Sequence, residues 1–325
     1  MGQPATEPRW IETVNGKVPV QALGLILPHE HLFTDLRGPL APGYAQADPE
    51  AVARVMEPYL AAAHAVGVTA LVECSTVGVG RNLAVLQRLA GVTPIHLIVP
   101  TGVYRQAFTP SPLLEMSAQS LAELWVHELT QGIEGSDVRA GFIKVAVSDD
   151  GPSPLEVRNL KAAALASRET GAAVVSHTVG GALLRGELDV LEAAGMDLRR
   201  FVWAHAGLEP DLAVHRQAAR RGLYLSFDTI GAEWQPQRLL LEATLALVEA
   251  GHADRLLLSH DAGWYDPSQP DGRPEGGIRG YTALVEQFIP ALRARGVTED
   301  LVHLITVTNP AHALAFADRT TDTWR

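Results

Sequence analysis

Cysteine is almost absent: the 325 residues hold one, Cys74, so neither an intrachain disulfide nor a thiolate metal cluster can form. Cys74 itself is expected to be a small buried residue in a strand. Basic residues are outnumbered, 26 Lys and Arg against 37 Asp and Glu, for a net charge of −11. That balance argues against a nucleic-acid partner, because neutralising phosphates requires clustered cations. Nowhere do 18 uncharged apolar residues run together, so no membrane-spanning helix is expected. The first ten residues, MGQPATEPRW, lack a basic segment followed by an apolar core. A secretory leader is therefore not expected, and a cytoplasmic location is the default.

What is present is an ordinary globular composition, 47% hydrophobic and 19% charged, with 29 Gly and 21 Pro spread along the chain. With no linker and no repeat, one domain over 1–325 is expected. Short β-branched or apolar runs alternate with helix-spaced segments, the pattern of parallel βαβ units. Eight such runs span 22–28, 68–75, 94–101, 140–147, 172–176, 201–204, 223–227 and 255–259. Helices are predicted over 51–66, 121–131, 154–170, 211–221 and 239–250, several of them stopped by glycine. Eight units in this length fit a closed (β/α)8 barrel, an α/β fold, better than an open doubly wound sheet. Before the first run, Asn15-Gly16 between alternating residues signals a β-hairpin that caps one end of the barrel. The segment 262–280, AGWYDPSQPDGRPEGGIRG, is the longest without periodicity, and loops of this kind carry function or mobility.

Histidines and acids collect at the ends of the runs. His29 and His31 flank Glu30 after the first run, and strand alternation sends both imidazoles to one face. An HxH pair is a weak signal alone among twelve histidines. His177 closes the fifth run, His205 the sixth and Asp261 the eighth, and in a parallel barrel those ends share the rim where catalytic residues gather. Imidazoles and a carboxylate converging there suit zinc, manganese, iron or cobalt. The remaining histidines have structural readings, and His260, beside Asp261, should point to the opposite face.

Lys144 lies in AGFIKVAV with no charge among its neighbours, where an ammonium is costly unless paired or altered. From the run alone, pairing with an acid such as Glu73 or Asp228 is favoured. Carboxylation by carbon dioxide would instead turn Lys144 into an anionic bridge between two metal ions.

Taken together, PHEH at 28–31, AGFIKVA at 140–146, SHT at 176–178, AH at 204–205 and SHDA at 259–262 resemble the phosphotriesterase family of the amidohydrolase superfamily. GRN at 80–82, TGVY at 101–104 and TVTNPA at 306–311 add to the likeness. It implies a distorted barrel with two divalent ions, usually zinc. His29, His31 and Asp261 would hold the buried ion, His177 and His205 the exposed one, and carboxylated Lys144 would bridge them. A bridging hydroxide would attack a carbonyl carbon or phosphorus while Asp261 accepts the proton. Thr229 stands where family lactonases have Arg and organophosphate-degrading members have His. Leu208 stands where the latter carry Asp. FDTIG at 227–231, QAF at 106–108 and the glycine-rich pattern up to Pro290 resemble the branch of phosphotriesterase homology proteins.

The leading expectation is hydrolysis of a lactone or other carboxylic ester, a small-molecule substrate, with phosphotriester cleavage at most secondary. A true phosphotriesterase, an amidase on N-acyl compounds and a metal-binding barrel without turnover are the alternatives. Tyr104 reads either as a residue over the metal centre or as an amphipathic rim residue. Thr229 and Trp264 are further candidates for substrate contact. Arg273, Arg279 and Tyr281 would bind an anionic substrate group, solvated loop charges being the commoner explanation for such residues. The resemblance also implies a homodimer.

Overall fold

The Asn15-Gly16 turn joins β1 (Trp10–Thr13) to β2 (Gly16–Pro19), paired antiparallel with Thr13 opposite Gly16. Val14 donates its N–H to Leu97 O, which docks this hairpin on the barrel. The computed structural model describes residues 9–316. Most of the MGQPATEPRW segment lies outside the described residues. Among them, no helix is long and apolar enough to cross a membrane.

Ten strands follow. They are β3 (Leu25–Phe33), β4 (Val68–Glu73), β5 (His96–Ile98), β6 (Pro100–Gly102), β7 (Phe142–Ala146), β8 (Val174–His177), β9 (Phe201–Ala204), β10 (Tyr224–Phe227), β11 (Leu256–Leu258) and β12 (Gly263–Tyr265). They pair in parallel as two arcs, β12-β3-β4-β5 and β6 through β11. The third predicted run, 94–101, splits at Val99 because Pro100 brings no N–H to a ladder. Its first part pairs with β4 and its second with β7. At the opposite seam, Asp261 donates its N–H to His29 O (3.1 Å) and His31 to Ala262 O (2.9 Å). The chain is thus an α/β barrel of the expected (β/α)8 type, distorted at both seams.

Helices cover the outside, and the one at Pro154–Thr170 shows why they form where they do. Ser153 caps its start in a reciprocal capping box with Glu156, Pro154 fits the first turn, and Gly171 ends it at φ +76°. The other predicted helices lie at Pro49–Ala65, Ala118–Thr130, Leu212–Arg220 and Gln237–Glu249, each within one turn of its expected limits.

Strand alternation feeds two cores. Leu71, Ile143, Val174 and Leu225 face the helices. Ala70, Val72, Phe142, Val175, Val202 and Leu257 fill the barrel, packed with Ile11 and Leu314. Two residues beyond this apolar interior, at the C-terminal strand ends, the inward positions turn polar: Lys144 after Phe142, and His177 after Val175. In β3 the alternation is interrupted. Its register against β4 shifts between Leu27 and Glu30, at Pro28. Ile26 therefore joins the interior core, and His29 and His31, on the other parity, face inward as well. An irregularity of this kind re-aims side chains.

Candidate metal centre

A cavity of about 170 Å³ opens at the C-terminal rim, and His29, His31, Lys144, His177, His205 and Asp261 all line it. The histidines of β3 reach it through the register shift. His177 is the last residue of β8, and His205 follows β9 at φ +64°. Asp261, beyond β11, has φ +51°. Trp264, which also lines the cavity, has φ +64°, and left-handed backbone at a non-glycine residue costs about 1 kcal/mol each time.

Ligand atoms of His29, His31 and Asp261 lie within 4.8 Å of one another. Asp261 Oδ1 is 3.0 Å from His31 Nε2 and 3.5 Å from His29 Nε2. Across the cavity, His205 Nε2 and His177 Nδ1 approach to 2.7 Å, with Tyr104 Oη 3.2 Å from the latter. The outer nitrogens are committed elsewhere. One buried carboxylate, Asp228, meets His29 Nδ1 at 2.8 Å and His205 Nδ1 at 3.0 Å. His29, His205 and Asp228 also form a close group, but there the imidazoles use Nδ1 for these hydrogen bonds, which leaves each Nε2 for the cavity. His31 Nδ1 contacts Ser75 Oγ at 2.7 Å and faces Glu73 at 3.6 Å. The outer nitrogen of His177 accepts from Arg105, which also donates to Asp149.

Charge follows from this wiring. Burial pushes His31 down, but Asp261 and Glu73 outweigh it and bring the imidazole up to about 9. Burial, then His205 and Lys144, hold His177 well below the usual histidine range. Burial raises the Asp261 carboxyl, yet His29 and His31 more than reverse this and keep it ionised. Burial also lifts the Tyr104 phenol to about 12, so it remains a neutral hydrogen-bonding group.

Lys144 departs from the pairing that its run favoured. Glu73 spends its oxygens on the N–H groups of Leu32 and Ser75, and Asp228 serves two histidines. The Lys144 ammonium is buried with no hydrogen-bond partner among the described residues. An orphaned amine among imidazoles and a carboxylate fits a lysine altered to an anion beside divalent cations, because cation and carboxylate would then neutralise one another.

The substrate-contact candidates divide. Tyr104 and Trp264 line the cavity, with Trp264 edge-on to His31 at 6.0 Å between ring centroids. Thr229 is buried but does not line it, and its backbone oxygen accepts from Gln237. Arg273 is turned to Tyr59 and Asp271. Arg279 and Tyr281, expected to bind a substrate anion, do not line the cavity: Arg279 donates to the carbonyls of His260 and Asp261, and Tyr281 to that of His31. Sequence reasoning missed the roles of Asp228, Arg105 and Asp149. For Asp228 a signal existed, since it continues the inward parity of Tyr224 and Ser226. For Arg105 and Asp149, both in loops, there was none. A larger cavity of about 850 Å³ lies near the strand starts. Of its arginines, Arg168 and Arg200 hold backbone carbonyls and Arg221 holds Glu192.

A parallel barrel with imidazoles, a carboxylate and a buried lysine on one rim defines a metal-dependent hydrolase. The chain belongs to the phosphotriesterase family, whose model matches residues 9–314, a family of binuclear metal-dependent enzymes. It is 30% identical over 315 residues to the phosphotriesterase homology protein of Mycobacterium tuberculosis, covering 92% of this chain and 96% of that one. To the aryldialkylphosphatase of Saccharolobus solfataricus it is 28% identical, covering 89% and 94%. The solved structure of a Deinococcus radiodurans PTE-like lactonase mutant superposes with a TM-score of 0.84 at 31% identity, covering 94% and 99%.

Proposed function

We propose that the protein hydrolyses a lactone or other carboxylic ester at a centre of two divalent ions, zinc by preference. His29, His31 and Asp261 would hold one ion, His177 and His205 the other, and carboxylated Lys144 would bridge them. The observation that carries this reading is the Lys144 amine, buried without a hydrogen-bond partner among the described residues in a cavity that four histidines and Asp261 also line. When bound, such ions supply an activated water and Lewis acidity toward a carbonyl oxygen. The chain's own residues do the rest. Asp261, kept as an anion by its histidines, accepts the proton released as water adds. Tyr104, a neutral phenol at the rim, offers a hydrogen bond to the acyl group. Trp264 walls off solvent beside His31. The likeness to a lactonase supports the ester reading.

A second reading, phosphotriester cleavage, is favoured by the likeness to an aryldialkylphosphatase, although neither Thr229 nor Leu208 matches the side chain expected of such enzymes. Turnover of γ- and δ-lactones, aryl esters, paraoxon and N-acetyl amino acids by the zinc-loaded protein tests the order. The expected outcome is the highest kcat/KM on a lactone or ester. A higher value for paraoxon or for an N-acetyl amino acid would replace the reading, and two bound zinc ions without any turnover would leave a metal-binding barrel. A homodimer and a cytoplasmic location are further parts of the proposal, the first checked by light scattering and the second by cell fractionation.

A further inference from the structure

The end of the 262–280 loop and the residues just after it bind backbone, and that backbone carries two of the ligand candidates, His31 and Asp261. Arg279 Nη2 donates to both His260 O and Asp261 O, each at 2.6 Å, and Nη1 donates to Ile230 O. Tyr281, fully buried, donates to His31 O at 2.6 Å. Leu284 donates its N–H to His260 Nε2. From the opposite side Glu30 grips the same turn. Its carboxylate accepts from Ser259 Oγ, from the N–H groups of His260 and Ala262, and from His260 Nδ1.

These bonds converge on the turn that carries Asp261. Asp261 occupies a left-handed conformation, uncommon for a residue with a Cβ though aspartate tolerates it better than most. Around it β11 ends at Leu258 and β12 begins at Gly263, and two backbone bonds, Asp261 N–H to His29 O and His31 N–H to Ala262 O, tie the intervening turn to β3. Arg279 and Glu30 add side-chain ties to the other backbone groups of the turn. Gly263 keeps the approach open, since a Cβ there would lie 1.9 Å from Tyr281 Oη and 2.2 Å from His31 O.

We propose that Arg279 and Tyr281, with Glu30 opposite, are positioning residues that strap the barrel seam. They hold the Asp261 carboxylate against His29 and His31 and thereby set the metal affinity of that group. The inference rests on reading those three residues as ligands. Bonds behind a metal site are typically worth 10- to 100-fold in affinity.

Zinc titration of the metal-free protein against a chelating indicator, with no substrate present, tests the strap. Arg279→Met keeps the aliphatic stem and loses every donor. One of the two zinc equivalents is expected to weaken at least about tenfold, the other to stay unchanged. Arg279→Lys restores one donor group and should recover part of the loss. Tyr281→Phe keeps the buried ring and should weaken the same equivalent by less, which keeps the test open if Arg279→Met does not fold. Unchanged affinity for both equivalents, or equal weakening of both, overturns the strap. Because no turnover is measured, failure of the hydrolysis panel would sink the substrate reading without touching this one.

Discussion

The Oδ2 atom of Asp228 lies 2.8 Å from Nδ1 of His29, and that contact decides which imidazole nitrogen is left for the cavity. The other carboxylate oxygen does the same for His205 at 3.0 Å, so one side chain orients histidines on opposite sides of the centre. Asp228→Asn can accept through a single oxygen only. Both zinc equivalents should weaken, by about 10- to 100-fold, whereas loss of the seam strap affects one. Chelator-competition titration separates the two patterns, and parent-like binding in Asp228→Asn would remove the orienting role.

Lys144→Ala should cost at least one metal equivalent and lower the rate by orders of magnitude, since an alanine cannot bridge. Bicarbonate is expected to restore nothing in the variant, and a short carboxylic acid such as propionate to restore part. Metal analysis together with lactone turnover reads both. Parent-like metal content and rate would show that the buried amine bridges nothing.

His31, lifted to about 9 by Asp261 and Glu73 against the effect of burial, makes metal uptake depend on pH. Below that value the metal-free imidazole carries a proton that a ligand nitrogen must lose, so binding releases it. Zinc affinity should therefore rise between pH 6 and 8, by up to about tenfold per unit for one proton, and flatten above about 9. Calorimetry in buffers of different ionisation enthalpy counts the proton directly. A pH-independent affinity with no proton release contradicts the assignment.

Glu187 provides a pH effect on stability. It is buried with Oε2 2.5 Å from Thr178 Oγ1 and Oε1 without a partner among the described residues, and burial pushes its carboxyl up to about 7. With an unfolded value near 4.5, the folded state holds the proton more tightly. Its contribution is fully present below about 4.5 and is lost as pH rises through about 7. Glu187→Gln should therefore gain stability over the parent across that window, reaching on the order of 3 kcal/mol at pH 8. Urea unfolding of both proteins at pH 5 and pH 8 checks the sign, and a constant difference between the two pH values would contradict it.

Local signals made much of the architecture legible. Ser153, Pro154, Glu156 and Gly171 mark both ends of one helix because capping and left-handed turns are local chemistry. The paired inward positions Phe142/Lys144 and Val175/His177 were readable because strand alternation is local too. In β3 the same period could not be carried from Ile26 to His29, since the shift at Pro28 depends on the register with β4.

From the sequence alone came the residue types at the strand ends, and with them the barrel, the six metal-ligand candidates and the family resemblance. Only the tertiary structure decided what stands behind those residues. It joined Asp228 to two histidines, left Lys144 without a hydrogen-bond partner among the described residues, and set the Arg279 and Tyr281 side chains on backbone carbonyls. The physical reason is distance along the chain: Asp228 and His29 are 199 residues apart, Tyr281 and His31 are 250 apart, and no local preference encodes a hydrogen bond that exists only once the barrel has closed.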